Sequence, residues 1–262
     1  MSMDEEILKR LRARILYSSS FSGEGHIPTS FSILEITYSY YAIQKKIYGS
    51  ILKSPNQIIL SKGHAAIGLY SILEHFELIP SNWLDDFSTF NSLLGGHPDM
   101  TKVPHVVAST GSLGHGLPIG VGISLGKRIQ GNPGMTYVLV GDGELNEGSN
   151  WESLMVAAHH KLSNLTVIVD CNRSSDRAVS MESLEDKLLA FGLKTHNIDG
   201  HSISDLRKFF ETGSETSSGI PVALLAATVK GKGVQRMEKS PNEWHHKIPA
   251  KSEIEQLIKE IR

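Results

Sequence analysis

With 262 residues, 40% of them hydrophobic and 21% charged, the chain can bury a full core and suits one large α/β domain, or at most two. A formal charge of -2 provides no cationic surplus to release counterions, which argues against nucleic acid or an anionic membrane as the main partner. A single cysteine, Cys171, excludes an internal disulfide framework and fits a reducing, cytoplasmic setting.

The acidic opening lacks the basic and apolar regions of a secretory signal, and no apolar run reaches the roughly 18 residues of a membrane span. Asp4 is placed to cap a helix whose inward face is Ile7, Leu8, Leu11, Ile15 and Leu16. Ser32 and Glu35 have capping-box spacing before a second helix that runs to about Tyr48. A short strand is expected at 57–61, stopping at Lys62-Gly63, and a helix from His64 to Phe76. The same strand, turn and helix order recurs at 136–140, Gly141-Asp142-Gly143 and about 151–161, followed by strands at 165–169 and 222–228. Buried apolar strands alternating with helices predict a parallel, doubly wound sheet with helices on both faces, in a single domain over 1–262. The stretch 213–219 is expected to be a surface loop and not a domain boundary.

In such sheets ligands bind at the carboxyl ends of the strands, where Asp142 and Asn172 fall. One strand, one helix and their turns separate them. If the two strands are neighbours, both oxygen ligands project from one edge, as a magnesium or calcium ion shared with a phosphate requires. Gly141 and Gly143 would let the backbone approach that phosphate. Gly-Asp-Gly alone is more simply a turn; its spacing from the terminal asparagine favours the ligand reading.

The stretch GDGELNEGSNWESLMVAAHHKLSNLTVIVDCN resembles the thiamine-diphosphate motif, in its transketolase form. Ser61-Lys-Gly-His-Ala65, Gly96-His-Pro98, Ser109-Thr-Gly-Ser-Leu-Gly-His-Gly116, Asp199-Gly-His201 and Thr228-Val-Lys-Gly-Lys-Gly233 are similar to transketolase segments in the same order, across about 10–250. The resemblance implies transfer of a two-carbon ketol unit from a ketose, such as a sugar phosphate, to an aldose, using thiamine diphosphate and Mg2+ or Ca2+. It implies that Asp142, Asn172 and the Ser174 carbonyl hold the metal and diphosphate. It also implies that Gly111, Ser112, Leu113 and Gly114 pass beside the cofactor rings, and that Glu147 supports a chain interface. His26, His64, His97 and His245 align with histidines that line the cofactor and donor channel, where imidazole can exchange protons near neutral pH. His246 neighbours His245, and a one-residue shift would exchange them. His64 is expected at a helix N-terminus, where the dipole disfavours its cation. His115 stands where the family often has glutamine, and Arg173-Ser174-Ser175 is more polar than usual.

The resemblance stops where single-chain transketolases continue into pyrimidine-binding and C-terminal domains. The expectation is therefore one subunit of a split enzyme, with the pyrimidine-binding domain on a partner in a two-plus-two heterotetramer. Two alternatives stay open: a subunit of another thiamine-diphosphate enzyme, of the deoxyxylulose-phosphate synthase or 2-oxo acid dehydrogenase type, and a noncatalytic regulatory subunit.

Overall fold

The computed structural model describes residues 2–23, 26–174, 176, 179–212 and 219–262. Gly25, which precedes His26, and nearly all of the expected 213–219 loop lie outside the described residues. In chain order the elements begin with α1 (Met3–Ser22), α2 (Ile27–Ser32), α3 (Leu34–Tyr48), β1 (Gln57–Leu60) and α4 (Ala66–His75). They continue with α5 (Gly116–Ile129), β2 (Thr136–Gly141), α6 (Gly148–His159), β3 (Leu165–Cys171) and α7 (Leu184–Ala190). The last are β4 (Lys194–Asp199), α8 (Ile203–Thr212), β5 (Val222–Ala227), α9 (Gln235–Lys239) and α10 (Lys251–Glu260).

The strands form one sheet in the order β1-β2-β3-β5-β4, every pair parallel. Successive strand residues feed opposite faces, as the two-residue period dictates. Tyr137, Leu139, Ile168 and Leu224 join a core with α1, α3 and α4. Val138, Val140, Val167, Val169 and Leu225 join a second core with α5, α6 and α7. Helices therefore cover both faces, which is why the central strands read as continuous apolar runs.

Two caps differ from the sequence expectation. Ser2, not Asp4, caps α1, in a reciprocal box with Glu5. Asp4 lies in the first turn and instead accepts from the Tyr38 hydroxyl and pairs with Arg207. The Ser32–Glu35 box does not form: Ser32 ends α2, Ile33 precedes α3 without a side-chain cap, and both polar side chains turn into buried networks. No helix among the described residues is long and apolar enough to cross a membrane.

Candidate cofactor and donor site

The carboxyl ends of four adjacent strands deliver polar side chains to one place. Lys62 follows β1, Asp142 follows β2, Asn172 follows β3 and Lys230 follows β5. All four line a cavity of ≈ 260 Å³ together with His64, Leu113, Gly141, Gly143, Glu144, Ser174 and His245. Because β2 and β3 are directly paired, with Gly141 opposite Asp170, the neighbour condition for Asp142 and Asn172 is met.

Beneath the cavity lies a buried polar hub. Asp170, on β3, pairs with the buried Lys62 ammonium and accepts from the Ser32 and Thr228 hydroxyls and from the Asn172 amide at 2.8 Å. Burial alone would raise its pKa, but Lys62 and the Thr228 and Ser32 hydroxyls hold its carboxyl below the usual range. Asp142 has the opposite balance. Burial and then the negative Asp170 raise its pKa, although Gly143 and Arg173 each donate a backbone N–H to it. A carboxylate oxygen accepting one hydrogen bond keeps a further lone pair. Asp142, the Asn172 side-chain oxygen and the nearby Ser174 carbonyl are hard oxygen donors that fit Mg2+ or Ca2+, and a cation there would offset the two neighbouring carboxylates. Lys230 is buried, and burial followed by the Lys62 charge lowers its ammonium to about 8. An anionic diphosphate would answer that pair of lysines, so the residues present fit both parts of the cofactor.

Of the four expected histidines, His64 and His245 line the cavity, and His26 packs against both. The His26 ring lies 5.3 Å from that of His64 and 4.9 Å from that of His245. Burial, then Lys62 and His26, lower His64 to about 2; burial, then Lys230 and His26, lower His245 to about 4. The expected direction for His64 is thus present, with burial as its first cause, and α4 itself begins beyond a short 3-10 turn at Gly63–Ala65. His245 lines the cavity, whereas the His246 side is exposed. His97 is separate: it is exposed, does not line the cavity, and lays its ring against Gly111.

The loop at 110–114 is held from within the chain. Thr110 donates to the Leu60 carbonyl at 2.6 Å, Ser149 donates to the Gly114 carbonyl at 2.7 Å, and the Gly114 N–H donates to Glu144 at 3.0 Å. Gly114 has φ +79°, and a Cβ there would come within 2.6 Å of the Glu147 Cβ, so packing by itself requires glycine. Ser112 and Glu147 are exposed, and Leu113 reaches the cavity wall. His115 is exposed, with its ring near the Leu113 carbonyl.

Sequence reasoning gave no role to Lys62, Lys230, Glu144 or Asp170. The rule that singled out Asp142 also applies to both lysines, since each follows a strand and precedes a glycine. The buried acids have no such local signal. A larger cavity, ≈ 930 Å³, lies between α1 and the 232–233 turn. Three of its charged groups are already paired with one another, as Arg12–Glu35 and Glu35–His201, and chemistry is better placed at the strand ends.

A family model described as transketolase, thiamine diphosphate binding domain, matches residues 3–260. One of the subunits of apulose-4-phosphate transketolase from Actinobacillus succinogenes is 36% identical over 266 residues, covering 98% of this chain and 95% of that protein. The transketolase of Pongo abelii is 34% identical over 98% of this chain, which spans 42% of that protein. In fold, a crystal structure of a transketolase mutant from Pichia stipitis matches 99% of this chain with a TM-score of 0.85 at 23% identity; the chain spans 40% of that one.

Proposed function

This chain belongs to the transketolase family, as its thiamine diphosphate-binding domain, and from that premise we propose that it is the cofactor-diphosphate subunit of a split ketol transferase. The observation that carries the reading is the convergence of Lys62, Asp142, Asn172 and Lys230 from four adjacent strands on one cavity. Asp142, Asn172 and the Ser174 carbonyl hold Mg2+ or Ca2+, and the two lysines balance the diphosphate. Gly141 and Gly143 admit it at the strand end, and Gly111, Ser112, Leu113 and Gly114 lie along the cofactor rings. Bound thiamine diphosphate supplies the capacity to stabilise the transferred two-carbon fragment.

The protein's own work is orientation and proton handling. His64 and His245 are neutral at physiological pH, so each offers one ring nitrogen as acceptor and one as donor to a sugar hydroxyl. His26 and His97 complete the donor side, and Glu147, exposed at the start of α6, meets the partner. The partner contributes the pyrimidine-binding domain, in a two-plus-two assembly in the cytoplasm. The donor is a ketose phosphate, supported by the substrate in the name of the Actinobacillus succinogenes relative. The family match favours this over a pyruvate-using synthase or a 2-oxo acid dehydrogenase, and the intact metal donors favour it over a regulatory role.

Asp142→Ala tests the centre of this reading. In the assembled complex it should abolish Mg2+-dependent thiamine diphosphate binding in a cofactor titration, while circular dichroism stays native. Unchanged affinity would remove Asp142 from the metal site. Turnover with pyruvate but not xylulose 5-phosphate as donor would refute ketol transfer.

A further inference from the structure

Beside the oxygen-lined cavity stands a site of different chemistry. The potential ligand nitrogens of His26, His245 and His246 all lie within 4.8 Å of one another. Their ring centroids are 4.9, 4.7 and 4.4 Å apart. Three nitrogens on a tetrahedral zinc ion, with bonds of 2.0–2.1 Å, are about 3.4 Å apart, so small side-chain rotations bring these rings onto one ion. The backbone already fixes the two segments to each other, because the His26 N–H donates to the His245 carbonyl at 2.9 Å. Trp244, buried next in sequence and covered by Lys247 at 4.0 Å, anchors the adjacent pair. The buried His245 Nδ1 has no hydrogen-bond partner among the described residues, an arrangement that costs free energy unless something satisfies it. The exposed His246 ring already lies against the other two.

We propose that His26, His245 and His246 form a transition-metal site, taking one Zn2+ or a similar nitrogen-preferring divalent ion with a coordination position left open. Ligand chemistry separates it from the cofactor metal. Imidazole selects zinc, cobalt, nickel or copper, whereas Mg2+ keeps to the oxygens of Asp142 and Asn172. The ammonium of Lys230, which acts on His245 through charge, opposes a cation here and weakens the site. Since His26 and His245 also belong to the proposed donor side, an ion on this triad would compete with the ketose. That consequence rests on the functional reading above, whereas the metal site itself does not.

The test titrates the full chain with Co2+ in saturating Mg2+, following visible absorption, and repeats it with Zn2+ by calorimetry. Wild type should bind one Co2+ per chain with the strong visible bands of tetrahedral nitrogen ligation. His246→Gly should weaken binding by at least about tenfold, as loss of a ligand does at least as much as loss of its support. Asp142→Asn should leave binding unchanged. Circular dichroism checks that both variants fold. Absent binding, binding unaffected by His246→Gly, competition by Mg2+, or loss in Asp142→Asn would each overturn the site. In the assembled enzyme, Zn2+ should raise the apparent KM for the ketose in wild type and not in His246→Gly. If binding passes and only this competition fails, the metal site stands and the donor role of the histidines falls.

Discussion

At the residue scale, burial determines how the histidines can act. An unfolded histidine takes its proton near 6.5, whereas the folded chain holds His245 at about 4 and His64 at about 2, burial being the first cause of both. Below pH 6.5 the unfolded chain therefore binds protons that the folded chain refuses. Stability contributed by the neutral rings is complete above that pH and is lost progressively as pH falls toward the folded values. Urea midpoints measured between pH 7.5 and 5.5, above the ordinary carboxylate range, should fall in wild type, and His64→Gln should flatten that fall. An unaltered slope would mean that His64 does not resist its proton. His97 calls for a different measurement because its ring is exposed against Gly111. His97→Ala should cut ketol-transfer turnover by about 10²–10⁴-fold, the usual contribution of a general acid or base, with little change in melting temperature. A steep loss of stability with normal turnover in the folded fraction would make it structural.

At the element scale, the parts legible in the sequence were those governed by local pattern. The runs at β1, β2, β3 and β5 are apolar because both faces of the sheet are covered, and each stops where a lysine, aspartate or asparagine must face the cavity. β4 is an edge strand, Lys-Thr-His-Asn-Ile-Asp, paired only with β5, incompletely buried and without an apolar run, so its sequence does not announce it. The two misplaced caps have a related cause. Ser32 and Glu35 have the right spacing for a box, yet long-range partners claim both. Glu35 is buried and pairs with Arg12 on α1 and with His201 beyond β4, while Arg12 also donates to the Lys232 carbonyl at 2.8 Å. His201 in turn accepts the Val229 N–H at 2.8 Å, so this network fastens the turn that carries Lys230. Burial would raise the Glu35 pKa, and Arg12 and His201 more than reverse that. Glu35→Ala strands a buried guanidinium and should cost about 3–5 kcal/mol in chemical denaturation. A loss below about 1 kcal/mol, the level of an exposed pair, would show that the clamp is wet and weak.

At the scale of the whole molecule, the proposed site accounts for a diphosphate and its metal, and the family resemblance places the carboxylate that activates the aminopyrimidine in a pyrimidine-binding domain. On the proposed split arrangement that domain sits on a second polypeptide; the Actinobacillus succinogenes relative is itself a transketolase subunit by name, and the match covers 95% of it. The surface is consistent with a partner: Phe90, Leu93 and Met100 are exposed around Gly96-His97, and Met155 and Val156 are exposed on α6, whose first turn follows the exposed Glu147. Large apolar side chains in water beside proposed site residues are what an interface would cover. These 262 residues alone, with saturating thiamine diphosphate and Mg2+, should therefore transfer no ketol unit. Activity should appear when a pyrimidine-binding transketolase partner is added, and should saturate near one partner per chain. Light scattering should then give the mass of two chains of each kind. Robust turnover by the isolated chain would reject the split arrangement. Saturation at one partner per two chains would keep the partnership but reject the two-plus-two assembly, because each cofactor needs its own pyrimidine-binding half.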